Sequence, residues 1–253
     1  MSDDRATDLF FELFSGLPRQ GPGDAASTRR ALSMIPPLGP EGRMLDLGSG
    51  TGTQTLVLAE ATPASILAID FHAPFVEELN ARAARAGVAD RVVGRVGDLR
   101  RLEVPARSFD VVWSEGAMFV VGFDRSLEAW RDLLRPGGHV AVSELCWFAA
   151  DPPAECREWL EAEYPAVRDV EANREAIRRA GYDLVGDFLL PPSSWWDDYY
   201  GPLGRNVVAF RARHAGDETA GAIASQAERE IETFRRHSDA YGYAFFVLRA
   251  PRG

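Results

Sequence analysis

Between residues 43 and 148, short aliphatic runs alternate with helix-patterned stretches, and that rhythm leaves few folds open. "RMLDLG", "SILAID", "RVVGRVGD", "FDVVWSEG" and "HVAVSEL" read as strands. Between them, "TLVLAEA", "PFVEELNARAARAGV" (stopped at Gly87) and "RSLEAWRDLLRPGG" (stopped by Pro136 and two glycines) read as helices. Strands of consecutive aliphatics need cover on both faces, and helical crossovers make their neighbours parallel. The expected class is therefore α/β: a doubly wound, Rossmann-like sheet with helices on both faces.

Flanking segments complete the outline. "DAASTRRALSMI" reads as a helix with Asp24 at its N-cap, set between the breakers "LPRQGPGD" and "PPLGPEGR". Later, "AECREWLEAEY" is helical and "ANREAIRRAGYDLVGDFLLP" is a helix–strand pair. A polar, helix-prone stretch over about 195–239 precedes a closing strand, "YGYAFFVLRA". Two late strands joined by a long insertion predict an antiparallel edge, with the insertion over one end of the sheet. One domain is expected over 1–253, with N-terminal helices or a lid at 1–40, a core at 41–148 and a C-terminal part at 149–253.

Composition removes several functions. The net charge of −10 repels nucleic-acid backbones and anionic lipid, so neither partner is expected. The chain has no lysine, which excludes a Schiff-base lysine and a P-loop. Cys146 and Cys156 lack metal-ligand spacing, so no metal is expected. No apolar run approaches ~20 residues, and the acidic start lacks a basic n-region, so a cytoplasmic location is expected.

In an open α/β sheet, ligands sit beyond the carboxyl ends of the strands. "MLDLGSGTGTQT" crosses from the first strand into its helix at that place. Gly48, Gly50 and Gly52 allow a tight turn and close approach of a ligand, and the helix N-terminus offers free N–H groups. The dinucleotide pattern G-x-G-x-x-G fits poorly, because the third glycine comes one residue early and Thr53 stands in its place. Asp70 ends the second strand, where an acid accepts hydrogen bonds from ribose hydroxyls. Asp98, in "GDL" after the third strand, is suited to an adenine amino group.

The D-x-G-x-G-x-G turn, Asp70, Asp98, "FDVVWSEGA" and "LRPGGHVAVSE", in that order, resemble the class I S-adenosylmethionine-dependent methyltransferases. "WSEGA", "AVSELCWF" and "LPPSSWWDDYYGP" further resemble small bacterial enzymes of the methyltransferase type 11 group. The resemblance implies a seven-stranded sheet with its last strand antiparallel, and S-adenosylmethionine as cofactor. It implies that Asp46, Gly48, Ser49, Gly50 and Gly52 hold the methionine portion. Asp70 would take the ribose, Phe71 would lie on the adenine, and Asp98 and Leu99 would meet its edge. Ser114 and Glu115 would face the sulfonium end and the amino group.

The expected acceptor is a small molecule. Phe119, Trp113, Trp147, Phe148, Trp195, Trp196, Tyr199 and Tyr200 are candidates for its pocket. "WWDDYY" serves equally as packing for the insertion or as a subunit contact compatible with a homodimer. If the acceptor must lose a proton, Glu144 at the end of strand five is the candidate base, with His72 second. Two rival functions stay open: a cofactor-binding module without turnover, and an NAD-linked oxidoreductase.

Overall fold

The computed structural model describes residues 2–251. Five parallel strands form the core: β1 (Arg43–Leu47), β2 (Ser65–Asp70), β3 (Val92–Val96), β4 (Phe109–Glu115) and β5 (Leu134–Trp147). Two-residue β6 (Arg168–Asp169) pairs with the end of β5. β7 (Asp183–Leu189) and β8 (Tyr241–Arg249) complete the order β3-β2-β1-β4-β5-β8-β7. The order runs outward in both directions from β1 and β4, so their carboxyl ends bound the crevice where ligands enter such sheets.

Alternation along each strand feeds two cores. Met44, Ala141 and Leu145 face helices α1 (Ser2–Phe14), α3 (Thr53–Ala61), α4 (Ala73–Arg85) and α6 (Ala154–Glu163). Leu45, Val142 and Cys146 face α5 (Phe123–Arg131) and α7 (Val170–Arg179) on the opposite side. Helix α2 (Ala25–Leu32) starts where expected, its N-cap Asp24 accepting the N–H of Ser27 at 2.7 Å. The insertion consists of a single turn α8 (Ser193–Trp195), a π-helical turn (Trp196–Tyr200), α9 (Gly201–Arg213) and α10 (Glu218–His237). Among the described residues no helix is long and apolar enough to cross a membrane.

One sequence expectation needs correction. "LRPGG" does not end a helix: α5 stops at Arg131, and Leu134 to Gly138 already belong to β5. The pairing with β4 shifts register there, and Gly137 takes φ +74°, so the two glycines form a bulge within the strand. The antiparallel edge forms as expected: the last strand, β8, runs antiparallel to both β5 and β7, and β7 is the outermost strand. β8 lies between β5 and β7, and eight of its nine residues are buried, which accounts for its unbroken apolar sequence.

Candidate active site

The turn after β1 is built on left-handed backbone: φ is +73°, +53° and +81° at Gly48, Gly50 and Gly52. That region costs an L-residue about 1–2 kcal/mol and glycine nothing comparable. The Ile69 carbonyl accepts the N–H groups of Gly48 (2.8 Å) and Ser49 (3.1 Å), tying the turn to the end of β2. Next to it, Asp70 accepts the Gly50 N–H at 2.8 Å through Oδ2 and the His72 N–H at 3.0 Å through Oδ1. A carboxylate offers about four acceptor positions, so both oxygens keep capacity for a ligand. Burial raises the pKa of Asp70, and the two N–H donors pull against that rise.

A cavity of about 510 Å³ opens over these strand ends. Gly48, Ser49, Gly50, Asp70, Phe71, Asp98 and Leu99 line one end. Asp98 is half-exposed, and the backbone N–H of Arg100 at 2.9 Å holds its pKa below the usual range. The loop before α2 forms the roof. Its Arg19 donates through Nη2 to Glu115 Oε2 at 2.5 Å, with both side chains about 5% exposed or less. Glu115 Oε1 also accepts from Thr28 Oγ1 (2.8 Å) and Trp113 Nε1 (2.9 Å). Gln20, from the same loop, accepts the Thr51 N–H at 2.9 Å.

The other end is aromatic. Tyr199 and Tyr200 come from the π-helical turn, Trp195 from α8, and Tyr241 and Tyr243 from β8. Phe11 and Phe14 of α1 also line the cavity, as do Phe119 and Tyr164, whose rings meet edge to face at 6.1 Å. Glu230 of α10 reaches this wall and accepts the Tyr200 hydroxyl at 2.9 Å.

The family described as a methyltransferase domain matches residues 44–138. Over 238 residues the chain is 34% identical to 27-O-demethylrifamycin SV methyltransferase of Amycolatopsis mediterranei (strain S699), covering 88% of this chain and 82% of that protein. The chain belongs to the class I S-adenosylmethionine-dependent methyltransferases. The methyltransferase is also 28% identical over 155 residues to phosphoethanolamine N-methyltransferase 1 of Arabidopsis thaliana, covering 59% of this chain but only 30% of that one. In fold, it superposes with a TM-score of 0.82 on a methyltransferase of Geobacter sulfurreducens solved with S-adenosyl-L-homocysteine, at 24% identity and covering 97% and 98% of the two chains.

Several expected residues of the methyltransferase lie off the cavity wall. Asp46 is fully buried under the turn, where Oδ2 accepts from Thr55 Oγ1 at 2.6 Å and Gln54 Nε2 at 3.3 Å. Burial pushes its pKa up to about 7, against the pull of the Thr55 hydroxyl. Ser114 donates to the Leu47 carbonyl at 2.9 Å and links β4 to β1. Glu144 shares a strand face with Val142 and Cys146, whereas its neighbour Leu145 is the residue on the cavity wall. His72 stacks on Phe11 with ring centres 3.8 Å apart and does not line the cavity. Of the aromatic candidates, Phe119, Trp195, Tyr199 and Tyr200 line it, while Trp113, Trp147, Phe148 and Trp196 do not. Trp195, Tyr199 and Tyr200 are buried within the chain itself, where they pack the insertion onto the body.

Proposed function

We propose that the methyltransferase binds S-adenosylmethionine along the glycine end of the cavity and a small, largely apolar acceptor at the aromatic end. The supporting observation is the cavity itself, which is continuous from Asp70 and Asp98 to Tyr199 and Tyr243. The glycine end also fits the cofactor's amino-acid tail. Arg19 Nη1 and Ser49 Oγ are both buried, both without a hydrogen-bond partner, and both belong to residues on this wall. A buried unpaired donor costs about 1–3 kcal/mol, and a carboxylate accepting from both would remove that cost.

In this reading Asp70 takes the ribose hydroxyls, Phe71 and Leu99 flank the adenine, and Asp98 meets its edge. Asp46 and Ser114 act from behind, holding the turn and β4 in place rather than touching the ligand. Glu115 holds Arg19 over the tail. Bound there, the cofactor supplies an electrophilic methyl group on a sulfonium. The chain aligns the acceptor with it and excludes water; well-oriented intramolecular reactions gain roughly 7–11 kcal/mol this way.

The acceptor reading draws on two facts. Aromatic side chains with a few polar groups suit an organic molecule of moderate size. The relative of A. mediterranei is named for a substrate lacking an O-methyl group. The charge of −10 disfavours a nucleic-acid acceptor.

Isothermal titration tests the cofactor end directly: S-adenosylhomocysteine should bind and NAD should not. Binding of NAD alone would sink the proposal. Gly50→Val offers a second check. A Cβ at Gly50 would stand 2.6 Å from Gln20 Oε1, on backbone at φ +53°. Gln20 must then leave Thr51, and a β-branched residue is strained there. The variant should bind S-adenosylhomocysteine at least about tenfold more weakly, since ~1.4 kcal/mol already corresponds to that factor. Its circular dichroism should match that of the unaltered chain; undiminished affinity would place the ligand away from this turn.

A further inference from the structure

Among the described residues two carboxylates line the aromatic end of the cavity: Glu163, whose Oε2 accepts from Gln226 Nε2 at 2.8 Å, and Glu230, which is held by two tyrosines. Glu230 Oε1 accepts from the Tyr200 hydroxyl at 2.9 Å and lies 3.5 Å from the Tyr199 hydroxyl. Among the described residues its Oε2 takes no hydrogen bond. The titratable groups around it are Glu163 and Tyr164 at the end of α6, Tyr199 and Tyr200 on the π-helical turn, and Tyr241 and Tyr243 on β8. None of these is a cation. The two arginines that line the cavity pair elsewhere, Arg19 with Glu115 and Arg100 with Asp98.

Two consequences follow from this arrangement. An anionic acceptor would meet Glu230 and Glu163 with no counter-charge in a poorly solvated space, which repels it. The site therefore differs in kind from one suited to a phosphorylated acceptor. Second, burial pushes the pKa of Glu230 up to about 7, the Tyr200 hydroxyl lowering it and the charge of Glu163 raising it. Near neutral pH the group can thus both take up and release a proton, the condition under which a general base works best. Its proton-accepting form grows as pH rises through about 7 and is lost below.

On the reading that the aromatic end holds the acceptor, we infer that Glu230 is the proton acceptor for a neutral hydroxyl compound, a phenol or alcohol with an apolar body. Tyr199 and Tyr200 are positioning residues that hold Oε1 and leave Oε2 for the substrate. As the acceptor oxygen bonds to the methyl carbon and the S–C electron pair stays with sulfur, giving S-adenosylhomocysteine, the hydroxyl proton passes to Glu230 Oε2. From there it leaves to solvent.

2-Naphthol probes this without turnover, because on excitation it becomes a strong acid and emits as naphtholate when a base adjoins its hydroxyl. With S-adenosylhomocysteine present, the bound probe should emit as naphtholate at about pH 8 and as neutral naphthol at about pH 5, where Glu230 carries a proton. Glu230→Gln should bind 2-naphthol within about threefold of the unaltered chain (~0.7 kcal/mol) yet emit as neutral naphthol at both pH values. 2-Naphthyl phosphate should bind at least about tenfold more weakly than 2-naphthol. A naphtholate band that survives in Glu230→Gln, or is missing from the unaltered chain at the higher pH despite binding, overturns the assignment of Glu230. So does a naphthyl trimethylammonium ion binding tenfold more tightly than 2-naphthol, which would make the carboxylate a counter-ion. Failure of every naphthyl probe to bind, with S-adenosylhomocysteine still bound, instead removes the aromatic end as the acceptor site.

Discussion

Asp70→Ala is expected to bind S-adenosylmethionine about 10²–10⁴-fold more weakly than the unaltered chain, the largest binding loss any single change here should give. A hydrogen bond to a charged group contributes about 1.5–3 kcal/mol, and two ribose hydroxyls engage the carboxylate in the proposed arrangement. Their loss amounts to roughly 3–6 kcal/mol, and each 1.4 kcal/mol is a factor of ten. The alanine also frees the Gly50 and His72 N–H groups that Asp70 now accepts, loosening the turn that would carry the tail in that arrangement. Asp70→Asn keeps the shape and one oxygen acceptor, so it should fall between the two. Titration calorimetry at fixed salt reads all three. An alanine variant within threefold of the starting affinity would mean that the sugar lies elsewhere.

The second large effect falls on stability. Glu115→Ala leaves the Arg19 guanidinium buried without its ion-pair partner, which now stands at 2.5 Å. Breaking a buried ion pair from one side costs about 3–5 kcal/mol. For a chain of this size each kcal/mol moves the melting temperature by about 2–4 °C, so a fall of roughly 6–20 °C is expected in a thermal melt. Thr28 and Trp113 also lose their acceptor, which adds to the loss. The double variant Arg19→Met/Glu115→Gln removes the charge and leaves an amide oxygen for Thr28 and Trp113. It should therefore melt above Glu115→Ala, the non-additivity expected of groups in contact. A Glu115→Ala protein melting within a degree of the unaltered chain would show that Arg19 finds another partner.

The glycine end of the cavity was legible in the sequence because its demands fall on backbone and strand ends. Gly48, Gly50 and Gly52 occupy φ values that other residues avoid, and Asp70 stands where an aliphatic run stops. The sequence could fix the end of a strand but not always its face. Glu144 and Leu145 are adjacent on β5, and the bulge at Gly137 removes the landmark from which the alternation would be counted. Glu230 gave no signal, since α10 carries Glu218, Glu228, Glu230 and Glu232, and only packing distinguishes the one that meets the cavity. Arg19 was hidden similarly in a glycine- and proline-rich loop whose path depends on contacts made far along the chain, such as the Gly23 N–H to the Ser194 carbonyl at 2.9 Å. In the sequence Tyr241 and Tyr243 are distinguishable only as strand residues, because alternate positions of β8 look alike when nearly all are buried.

The place of β8 bears on how such a chain comes together during synthesis. Until residues 241–249 emerge, β7 has no partner in the sheet and one flank of β5 stays bare. Pairings between distant segments form slowly, and bare strand flanks invite association with other chains. The nascent polypeptide must therefore carry two sticky flanks while more than fifty residues of insertion are being made. A stop anywhere within that interval would release a protein whose glycine turn is complete but whose sheet can still recruit a stray strand.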